Sequence, residues 1–183
     1  MKKTLIAFTV LSSVIFTTAF AVYEQANRSI DKDYTLKFST SLASGTFYGL
    51  EGKVYFSPSE YTNSKIDISM DASTINTGNS LKDTHAKSQD WLNVASFPFV
   101  KFASTEITKE NSSYIITGYL EICGVKKLMK IPASYTEING KGIFKGDFKI
   151  NREEFHVNGS GIKAKMVGSE IQVTFNIPTS KIG

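Results

Sequence analysis

The segment KIDISMD, residues 65–71, alternates polar and apolar side chains over its whole length. Isoleucine or methionine stands at positions 66, 68 and 70, and lysine, aspartate or serine stands at the positions between and beside them. Successive side chains of a β-strand point to opposite faces of the sheet, so this period of two is typical of a strand. The segment therefore predicts a half-buried strand with one apolar face and one solvated face.

The same alternation recurs at residues 35–39, 114–120, 144–150 and 171–177. Turn-forming sequences separate the alternating runs: they are Ser57-Pro58, Asn111-Ser112-Ser113, Asn139-Gly140, Asn158-Gly159 and Val167-Gly168-Ser169. Strands joined by short turns predict an antiparallel sheet. Such a sheet covers its apolar face and its edges by closing into a barrel or by packing as two layers. The pattern alone leaves both architectures open, and a barrel of eight strands can be filled or hollow.

Residues 80–91 depart from this alternation and have a helical pattern. Ser80 is the predicted N-cap, and Asp83 precedes Lys87 by four residues, which is the spacing of an exposed ion pair on one helix face. Pro98 follows too closely for the helix to continue, and an extended pattern resumes after it. The sequence thus predicts an all-β protein with one short inserted helix.

The first 21 residues have the composition of a secretory signal peptide. Two lysines precede an apolar run over residues 5–16, and small residues follow as far as Ala21. The run is short for a bilayer span, and hydroxyl side chains dilute it. We expect cleavage after Ala21 and a soluble mature domain, residues 22–183, in the periplasm, with secretion from the cell as the alternative.

The charge and cysteine content exclude several functions. Removing the two N-terminal lysines leaves 19 basic and 17 acidic residues, a net charge of +2, which gives no electrostatic reason to expect nucleic-acid binding. The single cysteine, Cys123, cannot form an intramolecular disulfide. No base stands near it in the sequence, so we expect a small buried apolar residue and not a nucleophile.

Patterns that indicate catalysis or metal binding are weak. Neither His85 nor His156 has a partner at metal-ligand spacing, and the chain has no glycine-flanked serine elbow and no phosphate loop. We therefore predict no metal, no cofactor and no enzymatic activity. Two alternatives remain open: an enzyme that acts on a lipid through His85, with Ser88 as its nucleophile, and a packed structural or interaction barrel that has no ligand.

A further set of residues follows a family signature. Ile75-Asn76-Thr77-Gly78-Asn79 is followed by Lys82-Asp83, His85, Ser88, Asp90-Trp91-Leu92-Asn93-Val94 and Phe97-Pro98. These residues closely resemble the signature of YceI-like proteins, which typically reads IDTGN, a basic residue and Asp, His, and then SxDFFDVxxYP. The resemblance covers roughly residues 34–177. The chain departs from the family pattern at four positions: Lys82 and Cys123, where arginine is frequent, Ala86, where leucine is frequent, and His156, where glycine is frequent.

The resemblance implies an extended lipocalin-like antiparallel β-barrel of about eight strands, which binds a polyisoprenoid or another amphiphilic lipid in a long apolar cavity. On the apolar faces, the predicted lining residues are Phe38, Leu50, Phe56, Ile68, Met70, Phe102, Ile116, Leu120, Phe144, Phe148, Val173 and Phe175. Lys82, His85 and Arg152 are the cationic candidates for contact with a phosphate or other polar headgroup. A rim that exposes lipid would also favour a homodimer.

Overall fold

The computed structural model describes residues 27–160, 164 and 166–182. The predicted signal peptide and its cleavage site after Ala21 lie outside these residues. The described residues form ten strands, which are β1 (Asn27–Ile30), β2 (Thr35–Ser39), β3 (Ser44–Thr46), β4 (Leu50–Tyr55), β5 (Lys65–Asp71), β6 (Phe99–Glu110), β7 (Ser113–Ile122), β8 (Val125–Ile138), β9 (Lys141–Asn151) and β10 (Glu170–Lys181). Helix α1 (Ser80–Lys87) connects β5 to β6.

Antiparallel pairing closes the sheet into a ring. Neighbouring strands from β4 to β10 pair in chain order, and β1 joins the two ends by pairing with both β4 and β10. Strands β1 and β2 pair with successive parts of β10, at 179–181 and 172–176, so they act as two halves of one barrel strand. Strand β3 pairs with β2, and strand β4 pairs with β1, so β3 and β4 also act as two halves of one barrel strand. Because β1 with β2 counts as one barrel strand, and β3 with β4 counts as another, the ten strands form the predicted barrel of eight.

Two-residue turns join β7 to β8 and β8 to β9. Asn139 and Gly140 have φ angles of 53° and 79°, which is the turn geometry that an Asn-Gly sequence favours. Cys123 and Gly124 form the other turn, with φ angles of 49° and 76°. We predicted a small buried apolar residue at Cys123, and at this turn it is partly buried and packs against the core. Its Sγ donates to the Leu92 carbonyl at 3.3 Å, and burial raises the pKa of the thiol.

Helix α1 confirms the predicted insertion, but it ends at Lys87, four residues before the predicted end. Ser88 adopts an extended backbone, and its Oγ donates to the His85 carbonyl at 2.7 Å. This bond satisfies one of the carbonyls that every helix end leaves free. The chain then turns through residues 89–97 and enters β6.

The start of α1 also differs from the prediction. Asn79, not Ser80, is the N-cap, and its side chain accepts a hydrogen bond from the Lys82 backbone N–H at 3.1 Å. The Asp83 carboxylate accepts from the N–H and the hydroxyl of Thr77 at 2.8 and 2.6 Å. Asp83 therefore ties the helix to the preceding loop, and these hydrogen bonds lower its pKa more than the charge of Lys87, its predicted partner, does.

Aromatic side chains fill the end of the barrel where β4 meets β5 and β8 meets β9. We call this cluster the floor and define it by Phe56, Tyr61, Tyr114, Tyr135 and Phe144. Phe56 is only 1% exposed, and its ring centroid lies 4.6–5.1 Å from those of Tyr114, Tyr135 and Phe144. Aromatic rings at these distances and tilted angles pack favourably. The floor is therefore a solid core that closes one end of the barrel.

A buried arginine reinforces the floor. Arg28 is 2% exposed. Its Nε donates to Thr179 Oγ1 at 3.1 Å, its guanidinium lies 3.5 Å from the Glu137 carboxylate, and its Cζ lies 5.7 Å from the centre of the Tyr135 ring. A buried cation destabilises a fold unless its donors are satisfied and its charge is compensated. Glu137 supplies that compensation from the partly exposed side.

Glu137 also accepts hydrogen bonds from Tyr135 of the floor and from Lys181. Burial raises its pKa, but the hydrogen bonds from Tyr135 and Lys181 and the positive charges of Arg28 and Lys181 outweigh burial, so its pKa is lowered overall. A carboxylate whose pKa is lower in the folded state stabilises the fold above its unfolded pKa. The ordinary pKa of the group is 4.5, and its pKa in the folded protein is lower. The stabilisation is therefore lost as the pH falls below 4.5 and through the pKa of the folded state.

We expect Glu137→Gln to lower the free energy of unfolding at neutral pH by about 1–3 kcal/mol, because Arg28 loses its counter-charge. The variant should also lose less stability than the wild type as the pH falls below 4.5. Urea unfolding at several pH values measures both effects. Glu121→Gln is the control, because Lys126, the salt-bridge partner of Glu121, is exposed and lies 3.9 Å away. Equal losses in the two variants would contradict this role for Glu137.

Candidate functional site

Above the floor the barrel is hollow. The cavity has a volume of about 1030 Å³, at the upper end of the range for small-molecule sites. Strand β10 shows how the alternation builds the wall, because Ile171, Val173, Phe175 and Ile177 all border the cavity while the residues between them face outward. The structure thus decides between the filled and the hollow barrel in favour of the hollow one.

Most residues predicted to contact a ligand border this cavity. They are Phe38, Leu50, Ile68, Met70, Phe102, Ile116, Leu120, Phe144, Phe148, Val173 and Phe175. Phe56 is the exception among the apolar candidates, because it follows the last residue of β4 and packs inside the floor. Alternation placed Phe56 on the correct face but could not show that the cavity ends above it.

Several wall residues lie outside the strands and were missed from the sequence. Trp91 and Leu92 come from the connection after α1, and Phe155 and Val157 come from the connection between β9 and β10. Alternation carries no signal in such segments. Trp91 is the single tryptophan of the chain and belongs to the family signature. Of these four wall residues, it is the one that the sequence could have indicated.

Arg152 borders the cavity but is 3% exposed. Its guanidinium donates to four backbone carbonyls, those of Gly168 (2.6 Å), Val157 (2.6 Å), Asn158 (2.8 Å) and Ala164 (3.0 Å). The Glu153 carboxylate lies 3.6 Å from the same group, and the Trp91 ring lies 5.3 Å from Cζ. Because the protein itself engages these donors, the predicted headgroup contact of Arg152 does not agree with the geometry. Arg152 instead organises the connection between β9 and β10.

The cavity opens at the end opposite the floor, which we call the mouth. Helix α1, residues 40–43 and residues 166–167 border it. Lys82 and His85, the other two headgroup candidates, are exposed on α1 and line the mouth. They are three residues apart and share one side of the helix, as predicted. The polar headgroup of a ligand would therefore contact the mouth, and the apolar chain of the same ligand would contact the cavity wall.

The described residues show neither a metal centre nor a membrane helix. Within residues 27–160, 164 and 166–182, no three histidine, cysteine, aspartate or glutamate side chains are grouped as metal ligands. In the same part of the chain, no helix combines the length and the apolar character needed to cross a bilayer.

The sequence is similar to a known protein family and to curated proteins. The family model of the YceI-like domain matches residues 19–179. Among curated proteins, Protein YceI of Salmonella newport (strain SL254) is 32% identical over 174 residues, a match that covers 86% of this chain and 88% of that protein.

Solved structures share the fold. BcnA of Burkholderia cenocepacia superimposes with a TM-score of 0.77 at 20% identity, covering 81% of this chain and 98% of that one. A polyisoprenoid-binding domain of Saccharophagus degradans, implicated in plant cell wall breakdown, superimposes with a TM-score of 0.68 at 12% identity, covering 85% and 98%. At these identities the likeness establishes the barrel architecture.

Proposed function

The chain belongs to the family of YceI-like domains, and we propose that it binds a long-chain isoprenoid or a similar amphiphilic lipid inside its barrel. The observation that carries this proposal is the apolar cavity of about 1030 Å³, open at the mouth and closed at the floor. A cavity of this size with an apolar wall excludes polar solutes, because an unpaired polar group inside it costs several kcal/mol. The polyisoprenoid-binding domain of Saccharophagus degradans has the same fold and supports the same ligand class.

The size of the cavity sets the length of chain that it can hold. A chain carbon occupies roughly the volume of one water molecule, about 30 Å³. A cavity of about 1030 Å³ therefore has room for a chain of several isoprene units.

The apolar chain should supply most of the affinity. Transfer of each methylene from water into an apolar site is worth about 0.8 kcal/mol, so the gain over a long chain exceeds the usual cost of association. We infer a carrier or store of lipid that is soluble in the periplasm. The same geometry disfavours enzymatic activity, because His85 and the Ser88 hydroxyl are both exposed at the mouth and that hydroxyl already donates to the His85 carbonyl.

We expect Lys82→Ala to weaken lipid binding by less than about fivefold, because an exposed ionic contact contributes about 1 kcal/mol or less. Titration with a lipid of fixed chain length and a phosphate headgroup measures the change. Lys130→Ala, an exposed position on β8 that does not border the cavity, is the control. Complete loss of binding in Lys82→Ala or in His85→Ala would show that the headgroup holds the ligand.

Extraction of the purified protein with organic solvent, followed by mass spectrometry, tests the proposal directly. We expect an unaltered lipid with a long hydrocarbon chain, at close to one molecule per protein. A protein that carries no lipid and takes none up from detergent micelles would favour the structural barrel. A chemically altered lipid, formed on incubation and lost in His85→Ala, would favour the enzyme.

A further inference from the structure

Three exposed apolar side chains surround the mouth. Leu42, Leu81 and Met166 are 49%, 65% and 59% exposed, and all three border the cavity. They belong to three segments that are far apart in the sequence. Single exposed apolar residues are common on protein surfaces, but a group around one opening indicates a contact surface.

Hydrogen bonds join these three segments into one continuous rim. The Lys82 ammonium donates to the Leu42 carbonyl at 3.5 Å, which connects α1 to residues 40–43. The Ser41 hydroxyl lies 2.9 Å from the Met166 carbonyl and 2.7 Å from the Val167 carbonyl, which connects residues 40–43 to the segment before β10. Leu42 therefore lies between the segments that carry Leu81 and Met166. We call these three apolar residues, together with Lys82, the mouth rim.

Lys82 places a positive charge in the mouth rim. Of the other described ionised residues that border the cavity and are exposed, Asp90 follows α1, and Lys37 and Lys101 stand at outward-facing positions of β2 and β6, paired with Thr174 and Ser69. The neighbouring Asp83 carboxylate on α1 is engaged by Thr77. Without the two lysines of the predicted signal peptide, the chain has a net charge of +2. An anionic surface is therefore the electrostatic complement of Lys82 at the rim.

We propose that the mouth rim docks the barrel reversibly onto an anionic lipid bilayer, with its apolar side chains entering the headgroup boundary. The inference rests on the proposed function, because a lipid of low solubility has to reach the cavity from a membrane. Apolar side chains beside lysines are the combination that binds a bilayer interface. Three such side chains bury little area, so the contact is weak and transient, as release of a loaded carrier requires.

Co-sedimentation of the full protein with vesicles tests this docking. The vesicles contain phosphatidylethanolamine and phosphatidylglycerol and no isoprenoid, and vesicles of phosphatidylcholine alone give the uncharged comparison. The test variant is Leu42→Ser combined with Leu81→Ser. The matched control is Leu128→Ser, because Leu128 is 56% exposed on β8 but does not border the cavity.

We expect the double variant to bind the anionic vesicles about tenfold more weakly than the wild type, and Leu128→Ser to bind like the wild type. Wild-type binding should also be weaker on phosphatidylcholine. Equal binding by the double variant, an equal loss in Leu128→Ser, or no binding of the wild type would overturn the proposal. A rim-dependent dimer seen by light scattering without vesicle binding would show that a second copy of the chain covers the rim, and would also overturn it.

These outcomes are separate from those of the solvent extraction. The vesicles contain no long isoprenoid, so docking is measured without filling of the cavity. A protein that retains lipid but ignores vesicles would overturn the docking proposal alone. A protein that binds vesicles through the rim but never retains lipid would overturn the proposed function alone.

Discussion

Replacing Met70 with aspartate should abolish lipid retention. Met70 is buried on β5, pairs with Leu50 and Val100 on the neighbouring strands, and borders the cavity. Among the described residues that border the cavity, none supplies a charged partner for a carboxylate at this position. Burying that carboxylate against the hydrocarbon chain of the ligand would cost several kcal/mol. This cost exceeds what a few carbons of the chain contribute to binding. Solvent extraction followed by mass spectrometry should recover less than about a tenth of the wild-type lipid.

The neighbouring position supplies the control for this substitution. Ser69 precedes Met70 on β5 and faces outward, beside Lys101 and Glu51. Ser69→Asp adds the same charge to the same strand and should retain its lipid. Met70→Trp keeps the position apolar but occupies cavity volume, so a shorter chain should be recovered from it. A folded Met70→Trp protein that retains the original lipid undiminished would contradict a cavity-lining role for Met70.

Replacing Arg152 with alanine should lower the free energy of unfolding by about 3–5 kcal/mol, because it leaves several buried carbonyls without donors. It also removes the cation from the face of Trp91. The measurement is urea unfolding of lipid-free protein, so that bound lipid does not contribute to the stability.

Two further variants separate the structural role of Arg152 from headgroup binding. Arg152→Lys keeps the positive charge but cannot reproduce the planar set of donors, so it should also lose most of this stability. Lys82→Ala should leave the unfolding free energy almost unchanged, because Lys82 is exposed. If Arg152→Ala remained as stable as the wild type and yet released the lipid, Arg152 would be a headgroup residue after all.

The barrel was predictable because strand alternation reports local geometry. In residues 65–71 each apolar position, Ile66, Ile68 and Met70, faces the interior and borders the cavity, as the period of two requires. The Asn139-Gly140 turn was predictable for the same reason, since its φ angles depend on those two residues alone. Closure into a hollow barrel came from the family resemblance and not from the pattern.

The remaining features depend on contacts between distant parts of the chain. Phe56 continues the alternation but belongs to the floor, because Tyr114 and Tyr135 pack against it from β7 and β8. Arg28 and Arg152 are both buried and both hold backbone carbonyls. Their carbonyl partners lie in loops whose position no local sequence pattern specifies. An arginine in the sequence therefore did not show whether it would bind a ligand or support the fold.

The hollow interior also has a consequence for the thermodynamics of the protein. A lipid that binds the folded barrel and not the unfolded chain shifts the folding equilibrium by mass action, by about 2.7 kcal/mol when free ligand is at a hundred times its dissociation constant. A preparation with partial occupancy is then a mixture of two species that melt at different temperatures. The melting temperature would therefore follow the supply of lipid in the cells from which the protein was purified.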